Sequence, residues 1–355
     1  MSRLWSPIVE KLVPYRAGEQ PTGSDVIKLN TNENPYGPSP MALRAICAAA
    51  DDRLRLYPDP TATGLRRAIG SKLNLTSEQI FVGNGSDEIL AHAFNAFFRG
   101  KGPVAFADVT YSFYKTYCAL YEVPHHEIAL DAAFRCDPDV YRGAFGGIVI
   151  ANPNAPTGLK MDLGQIEQIL VQNADRVVLV DEAYVDFGAD SAVALIPEYE
   201  NLIVVQTFSK SRSLAGLRVG FALAQPDLIE ALVRVKDSFN SYPCDRLALA
   251  GAEAAWEDEN WFDETRRRIV ADRGRTLEQM QTLGFKVLPS ATNFLFTSHE
   301  TIAAERLASD LRSKGILVRH FGQDRIRNWL RISIGTSKQC DALLEAMGDC
   351  LENAS

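Results

Sequence analysis

The sequence lacks an excess of positive charge. Its 37 lysine and arginine residues are outnumbered by 45 aspartate and glutamate residues, so the net charge is −8 at pH 7. Such a chain has no bulk positive field to hold nucleic acid or an anionic membrane, and we expect neither as a partner. Any anionic ligand must therefore be bound by a local cluster of side chains and amides.

Cysteine is scarce and apolar runs are short. The six cysteines form no Cys-x-x-Cys pair and have no histidine at metal-ligand spacing, so we expect free thiols and no metal. No apolar run approaches the roughly 18–20 residues of a membrane span. With 46% apolar and 23% charged residues, the composition is that of an ordinary globular protein. Together these features predict a cytoplasmic protein.

Short apolar runs alternate with amphipathic stretches from Phe81 onward. Buried strands separated by helix-length segments are typical of a mostly parallel sheet with helices on both faces. After Asp245 a long helical stretch precedes a mixture of short strands and helices, which predicts a smaller α+β domain. The predicted strands of the main sheet are 104–107, 147–150, 177–180, 202–206 and 219–223.

The chain length predicts two domains, since a domain usually has about 100–200 residues. The turn-forming residues between elements indicate an N-terminal arm in addition. We expect residues 1–45 to form the arm, irregular up to residue 38 and packed with the small domain. Residues 46–260 form the large domain and residues 261–355 the small C-terminal domain. Together with the strand pattern, this predicts an α/β fold whose large domain is a sheet sandwiched by helices.

In open parallel sheets, ligands bind beyond the carboxyl ends of the strands, and several such places carry unusual residues. The segment 83–88 brings two glycines into a helix start, which could cradle a phosphate, although a simple capped turn explains it equally well. Asp181 and Glu182 follow another strand. A magnesium site of a nucleotide hydrolase would need a phosphate loop that this sequence lacks, and the alternative is a solvated pair of carboxylates.

Lys210 lies between two serines just after a predicted buried strand, and Arg218 follows eight residues later. A lone lysine is usually a solvated surface charge, but this grouping is better explained by an anionic ligand. Lys210 could form an imine with a carbonyl cofactor while Ser209 and Arg218 hold its phosphate. The segment 152–158, which contains proline and glycine and predicts a turn, also follows a predicted strand. It is the fourth strand end with unusual residues.

Taken together, these motifs resemble those of the pyridoxal-phosphate aminotransferases of the aspartate aminotransferase fold. The match consists of Ser-Lys-Ser at Lys210, Asp-Glu-Ala-Tyr from Asp181, the Asn-Pro-x-x-Pro-Thr-Gly turn, and Leu-Arg-Ile-Ser-Ile-Gly around Arg331. The resemblance covers nearly the whole chain, and it implies fold type I of the enzymes that use pyridoxal 5'-phosphate.

Within that group the sequence is most similar to the histidinol-phosphate aminotransferase family, through segments 29–38, 57–60, 111–114 and 207–211. The resemblance implies transamination of histidinol phosphate with glutamate or 2-oxoglutarate, a step of histidine biosynthesis. Threonine-phosphate decarboxylases and aromatic aminotransferases have the same fold, and both remain alternatives. A non-catalytic binding protein is a third alternative, which would not require an imine-forming lysine.

The resemblance also implies roles for individual residues. Lys210 would link covalently to the cofactor and shuttle a proton, while Asp181 would keep the pyridine nitrogen protonated. Tyr184 would hydrogen-bond the phenolic oxygen of the cofactor, and Tyr111 would stack on its ring. The phosphate would be surrounded by Gly85, Ser86, Asp87, Ser209, Arg218 and, from the neighbouring subunit of a C2 homodimer, Tyr57.

One position departs from the family pattern. Members usually carry asparagine immediately before Pro-Thr-Gly, where it bonds the phenolic oxygen, and this sequence has Ala155 there. Either Asn154 takes over that contact or Tyr184 serves alone.

The two substrates would share one set of anion-binding residues. Arg331 is the candidate for the α-carboxylate of glutamate. Arg319, Tyr15 and Asn30 could bind, in turn, the phosphate of histidinol phosphate and the side-chain carboxylate of glutamate. This hypothesis follows from the spacing of the two arginines on predicted neighbouring strands.

Overall fold

The computed structural model describes residues 3–14, 18–21 and 26–352. In chain order, the helices are α1 (Pro7–Lys11), α2 (Pro40–Ala49), α3 (Thr63–Leu73), α4 (Gly85–Ala93), α5 (Phe113–Tyr121), α6 (Leu163–Gln172), α7 (Pro226–Asp237), α8 (Arg246–Glu257), α9 (Glu259–Thr282), α10 (Ala304–Ser313) and α11 (Ser337–Glu352). The strands are β1 (Ile27–Lys28), β2 (Ile80–Gly83), β3 (Val104–Ala107), β4 (His125–Ile128), β5 (Gly147–Ala151), β6 (Val178–Asp181), β7 (Leu202–Thr207), β8 (Gly220–Ala224), β9 (Lys286–Val287), β10 (Phe294–Ser298), β11 (Ile316–Leu317), β12 (Arg319–His320) and β13 (Leu330–Ser333).

Seven strands from the described part of the chain form one sheet in the order β2-β8-β7-β6-β5-β3-β4. Strand β8 is antiparallel to both of its neighbours, and the other pairs are parallel. Successive side chains of a strand point to opposite faces, and here both faces are buried. Ile148 and Val180 enter the core on one side, while Val149 and Leu179 enter the core on the other. The predicted α/β layering is therefore present.

The antiparallel sheet β12-β13-β10-β9 lies in the C-terminal part of the chain. Its core contains Leu295 of β10, Leu311 of α10 and Met347 of α11. Strand β1 pairs in parallel with β11, and Leu29 continues this contact, since its N–H donates to the carbonyl oxygen of Leu317 at 2.8 Å. Residues 27–29 are thus hydrogen-bonded to β11 and the residue before it. The predicted boundaries at residues 45 and 260 stay predictions.

The structure differs from the sequence-based expectations in local details. The first 38 residues contain α1 and β1 instead of being irregular throughout. The long helical stretch after Asp245 is divided into α8 and α9 by Asp258, whose carboxylate accepts a hydrogen bond from the N–H of Trp261 at 3.2 Å and so caps the second helix. Among the described residues, no helix combines the length and apolarity needed to cross a membrane.

Candidate active site

A cavity of about 290 Å³ lies at the carboxyl ends of β6 and β7, with β12 and β13 on its other side. It is formed where the loops after the parallel strands face the antiparallel sheet, which is the place that parallel-sheet topology predicts. The structure brings most of the predicted residues together here, namely Asn30, Ser86, Asp87, Tyr111, Asp181, Tyr184, Ser209, Lys210, Arg218, Arg319 and Arg331.

Asp181 is the last residue of β6 and is only 6% exposed. Its carboxylate accepts hydrogen bonds from the Tyr114 hydroxyl at 2.7 Å and from the N–H of Ala183 at 3.2 Å. Burial raises the pKa of Asp181 to about 6, although these hydrogen bonds and the charge of Lys210 act in the opposite direction. A buried carboxylate of this kind favours a cationic ligand opposite it.

Lys210 follows β7 after only two residues, Phe208 and Ser209. Its ammonium donates to the carbonyl oxygen of Thr31 at 3.3 Å and lies 5.7 Å from the centre of the Tyr184 ring. The side-chain amide of Asn34 donates to the carbonyl oxygen of Lys210 at 3.1 Å, which holds the lysine backbone against the N-terminal segment. Lys210 and Asp181 both line the cavity.

Tyr184 receives a hydrogen bond that the motifs do not predict. The side-chain amide of Asn32 donates to its hydroxyl oxygen at 2.9 Å, and the Phe294 ring packs edge-on against the tyrosine ring, with 5.1 Å between centres. Asn32 lies within the segment 29–38 that carries the family resemblance. No local signal distinguishes it there from the neighbouring Asn30 and Asn34, because the contact joins residues 152 positions apart.

The phosphate cradle predicted at the start of α4 contains a guanidinium group. Arg218 donates to Ser209 Oγ at 3.4 Å and pairs with the Asp87 carboxylate at 3.0 Å. Gly85, the first residue of α4, has φ +80°, and a Cβ built on it would lie 2.5 Å from Nη2 of Arg218. Gly220 is equally constrained, since its Cβ would lie 2.6 Å from the N atom of Ser86. Both glycines allow β8, the arginine and the helix start to approach closely.

The Asp87 side chain holds other residues of this cradle and does not face the phosphate as a ligand. One oxygen of its carboxylate pairs with Arg218, and the other accepts a hydrogen bond from the Tyr111 hydroxyl at 2.9 Å. A carboxylate repels a phosphate, so the side chain of Asp87 positions Arg218 and Tyr111. Its N–H, in the first turn of α4, belongs to the groups that have no partner within a helix and can face an anion.

Two predicted residues, Asn154 and Tyr57, lie elsewhere on this chain. The amide of Asn154 is bonded to Thr110 Oγ1, to the carbonyl oxygen of Val109 and to Thr157 Oγ1, and it lines a neighbouring cavity of about 500 Å³. Ala155 lines the site cavity instead, so the structure does not bring the Asn154 amide to the site. Tyr57 is 79% exposed on this chain. Tyr15 lies outside the described residues.

The two candidate substrate arginines face each other across neighbouring strands, since Arg319 of β12 is the direct partner of Arg331 of β13. Arg331 donates to the carbonyl oxygen of Asn30 at 2.9 Å. Both guanidinium groups lie beside the Phe321 ring, each 5.8 Å from its centre. Asn30 is buried, and its amide donates to the carbonyl oxygen of Glu19 at 3.0 Å. The same NH₂ group has a second hydrogen, which Asn30 can donate to an anion without turning its amide.

The cavity fits a phosphorylated pyridine aldehyde. Arg218, Ser209 and the amides at the start of α4 match a phosphate, and the absence of a Cβ at Gly85 leaves room for the guanidinium. Asp181, buried and with a raised pKa, matches a protonated ring nitrogen. Lys210 supplies an amine in the same cavity.

Comparisons with known proteins agree with this geometry. Residues 24–347 match the family model described as aminotransferase class I and II. Histidinol-phosphate aminotransferase of Acetobacter pasteurianus is 58% identical over 351 residues, 99% of each chain. Histidinol-phosphate aminotransferase 1 of Bordetella parapertussis is 57% identical over 350 residues, 98% of each chain.

Among solved structures, histidinol-phosphate aminotransferase from Sinorhizobium meliloti in complex with pyridoxal-5'-phosphate superposes with a TM-score of 0.88 at 24% identity, over 100% of this chain and 99% of that chain. At this identity the likeness establishes the fold, which is that of the fold type I aminotransferases. The chain belongs to the aminotransferase class I and II family. The fold class and the family predicted from the sequence are therefore confirmed.

Proposed function

We propose that the protein is a pyridoxal-phosphate-dependent aminotransferase that exchanges an amino group between histidinol phosphate and 2-oxoglutarate. The observation that carries the proposal is the cavity in which Lys210, Asp181, Tyr184 and Arg218 meet. The specific substrate is supported by relatives of that name, 57–58% identical over nearly the full chain. The predicted function, enzyme class and cofactor agree with these relatives.

When bound, the cofactor supplies an aldehyde carbon and an electron-withdrawing ring. Asp181 holds a proton at the ring nitrogen, and its burial strengthens that interaction. The Lys210 amine would hold the aldehyde carbon of the cofactor, and in the reaction it would move a proton at the substrate carbon. Tyr184 donates its hydroxyl hydrogen toward the phenolic oxygen. Arg218 anchors the phosphate, so that the other groups meet the ring in one orientation.

Arg331 and Arg319 set the orientation of the substrates in the cavity, because each arginine binds a different end of the substrate. One arginine suits the α-carboxylate of glutamate, for which we propose Arg331. Arg319 suits the anion at the far end of either substrate, which is a phosphate in one case and a carboxylate in the other. Because Arg319 and Arg331 are direct cross-strand partners, they can hold both ends of a short dianion. We retain Tyr15 and Asn30 as proposed contributors.

Half-reaction assays of the purified protein test the proposal. Histidinol phosphate, phenylalanine and threonine phosphate are added separately, and conversion of the bound cofactor to its amine form is followed by absorbance. We expect histidinol phosphate to react fastest. Faster reaction of phenylalanine supports an aromatic aminotransferase, and carbon dioxide release from threonine phosphate supports a decarboxylase. Lys210→Ala is the control, and colour that borohydride fixes equally well in this variant contradicts the assignment of Lys210.

We further propose a cytoplasmic homodimer in which Tyr57 completes the site of the partner subunit. Tyr57 is exposed and stacks on Tyr242, with 4.6 Å between ring centres, and Phe239, three positions before Tyr242 in the chain, is 77% exposed. Exposed aromatic residues in one patch are typical of protein interfaces. They support burial of this face against a second copy. The free cysteines of the described residues suit a reducing compartment.

Complementation tests the shared site. Tyr57→Ala and Lys210→Ala each damage every site of a homodimer, but a mixed dimer has one site with both native residues. We expect mixing the two inactive variants to restore up to half the activity per mixed dimer. If mixed dimers form and stay inactive, Tyr57 does not act on the partner's site.

A further inference from the structure

Asn32 occupies a position from which it can control the hydrogen-bonding direction of Tyr184. Its side chain donates to the Tyr184 hydroxyl oxygen at 2.9 Å, and the residue is only 1% exposed. A hydroxyl oxygen that accepts one hydrogen bond still has its own hydrogen to donate. Because Tyr184 lines the site cavity, that hydrogen is available to a group bound there.

The orientation of the Asn32 amide is set by Ser333 of β13. The Ser333 hydroxyl donates to Asn32 Oδ1 at 3.0 Å, and its oxygen accepts a hydrogen bond from the N–H of Asn32 at 2.8 Å. With the Oδ1 atom bound to a donor, the NH₂ group must face Tyr184. With the amide reversed, Asn32 Oδ1 would face the Tyr184 hydroxyl, which would then donate its hydrogen to Asn32 instead of to a group in the cavity.

The backbone of Asn32 is held equally firmly. It adopts φ +57°, a left-handed conformation that asparagine tolerates better than most residues. Its carbonyl oxygen accepts a hydrogen bond from the side-chain amide of Asn293 at 2.9 Å, and Asn293 itself is fully buried. The preceding carbonyl, of Thr31, accepts from the Lys210 ammonium. A network that fixes both the backbone and the amide of one residue points to a requirement for its exact direction.

We propose that Asn32 is a positioning residue for Tyr184, and that Ser333, Asn32 and Tyr184 form a hydrogen-bond relay ending on the phenolic oxygen of the bound cofactor. This inference rests on the proposed function, since it concerns how the chain tunes that cofactor. Hydrogen bonds in a chain polarise one another, so a tyrosine that accepts from Asn32 is a stronger donor. A stronger donor stabilises negative charge on the phenolic oxygen and lowers the pH at which the cofactor linkage to Lys210 loses its proton.

The test is a pH titration of the absorption band of the bound cofactor. In Asn32→Ala we expect the midpoint to rise by about half a pH unit, the size expected for weakening one neutral hydrogen bond. In Asn32→Asp, which fills the same space but cannot donate at physiological pH, we expect a rise at least as large. A midpoint unchanged in both variants overturns the inference, as does an Asn32→Asp variant that behaves like the native protein.

A double-mutant cycle separates the relay from a general structural effect. In a Tyr184→Phe background the relay has no hydroxyl to act on, so Asn32→Ala should no longer shift the midpoint. The same shift with and without the tyrosine hydroxyl contradicts the inference. Ser333→Ala provides a milder perturbation, with a smaller rise in the same direction, and decides the question if Asn32→Ala does not fold.

Asn201→Ala is the matched control. Asn201 is also a buried asparagine, but its amide donates to the carbonyl oxygens of Leu170, Asn173 and Arg176, away from the cavity. We expect this variant to lose stability without a change in midpoint. If the native protein binds no cofactor through Lys210, the proposed function fails. If the native protein binds the cofactor and transaminates while the Asn32 variants titrate normally, only the relay fails.

Discussion

We expect the negative charge of Asp181 to destabilise the cofactor-free protein. The size of this destabilisation follows from the shift in the pKa of Asp181. Burial raises the pKa of this carboxyl from 3.8 to about 6. One pKa unit corresponds to about 1.4 kcal/mol. Ionised Asp181 therefore reduces the free energy of unfolding by about 3 kcal/mol at pH 8, relative to a neutral residue of the same shape. This cost is absent where the carboxyl is protonated in both the folded and unfolded states.

Asp181→Asn removes the charge and keeps the shape. Because the folded-state pKa is raised, the native residue stabilises the fold at low pH and loses that contribution as the pH rises from about 4 to above 6. We expect the variant without cofactor to exceed the native protein in free energy of unfolding by about 1 kcal/mol at pH 4.5 and about 3 kcal/mol at pH 8. Urea unfolding of both cofactor-free proteins at the two pH values measures this difference.

The bound cofactor should reverse the result. A protonated ring nitrogen opposite Asp181 stabilises the carboxylate, so saturating cofactor should raise the stability of the native protein more than that of Asp181→Asn. The variant should also lose most of its transaminase activity. Asp190→Asn, on an exposed residue of the following loop, is the control without a pH-dependent difference. A stability difference between Asp181→Asn and native protein that does not change with pH refutes the reasoning.

Three further variants test the phosphate cradle and the substrate site. Arg218→Lys keeps the charge but loses the fork that reaches both Asp87 and Ser209, so cofactor titration should give a Kd at least about tenfold higher. Gly85→Ala places a Cβ against the Arg218 guanidinium at a positive φ; the same titration should show weaker binding, and native affinity contradicts the proposed close approach. Arg331→Ala should lower the glutamate kcat/KM by about 30- to 1,000-fold, whereas an unchanged value removes Arg331 from α-carboxylate binding.

The central part of the site could be predicted from the sequence because it depends on strand ends. Asp181 ends β6, Lys210 follows β7, and Ser86 follows β2. Each is preceded by a short buried apolar run, and neighbouring parallel strands carry their carboxyl ends to one edge of the sheet. Local patterns therefore sufficed to bring these residues together. Strand β8 is antiparallel to its neighbours, so its amino end lies at that edge and brings Arg218, just before it, to the same place.

The orientation of side chains at the site could not be predicted in this way. The sequence marks Asn154 and Ala155 as neighbours in a turn, but only the tertiary structure shows that the Asn154 amide is bonded to Thr110 and lies in a different cavity. The same is true of Asp87, whose negative charge matters through its pairing with Arg218. In each case the partner lies on another element, and its position depends on packing.

The segment from Asn30 to Asn34 shows how much of the site depends on such long-range contacts. Its carbonyl oxygens accept hydrogen bonds from Arg331, at Asn30, and from Lys210, at Thr31, while Asn32 binds Tyr184. These three partners come from three different parts of the chain. A displacement of this segment therefore moves the hydrogen-bond partners of the substrate arginine, the lysine and the tyrosine together. Its attachment to the C-terminal strands through Leu29 makes cofactor chemistry and substrate binding depend on the same few backbone contacts.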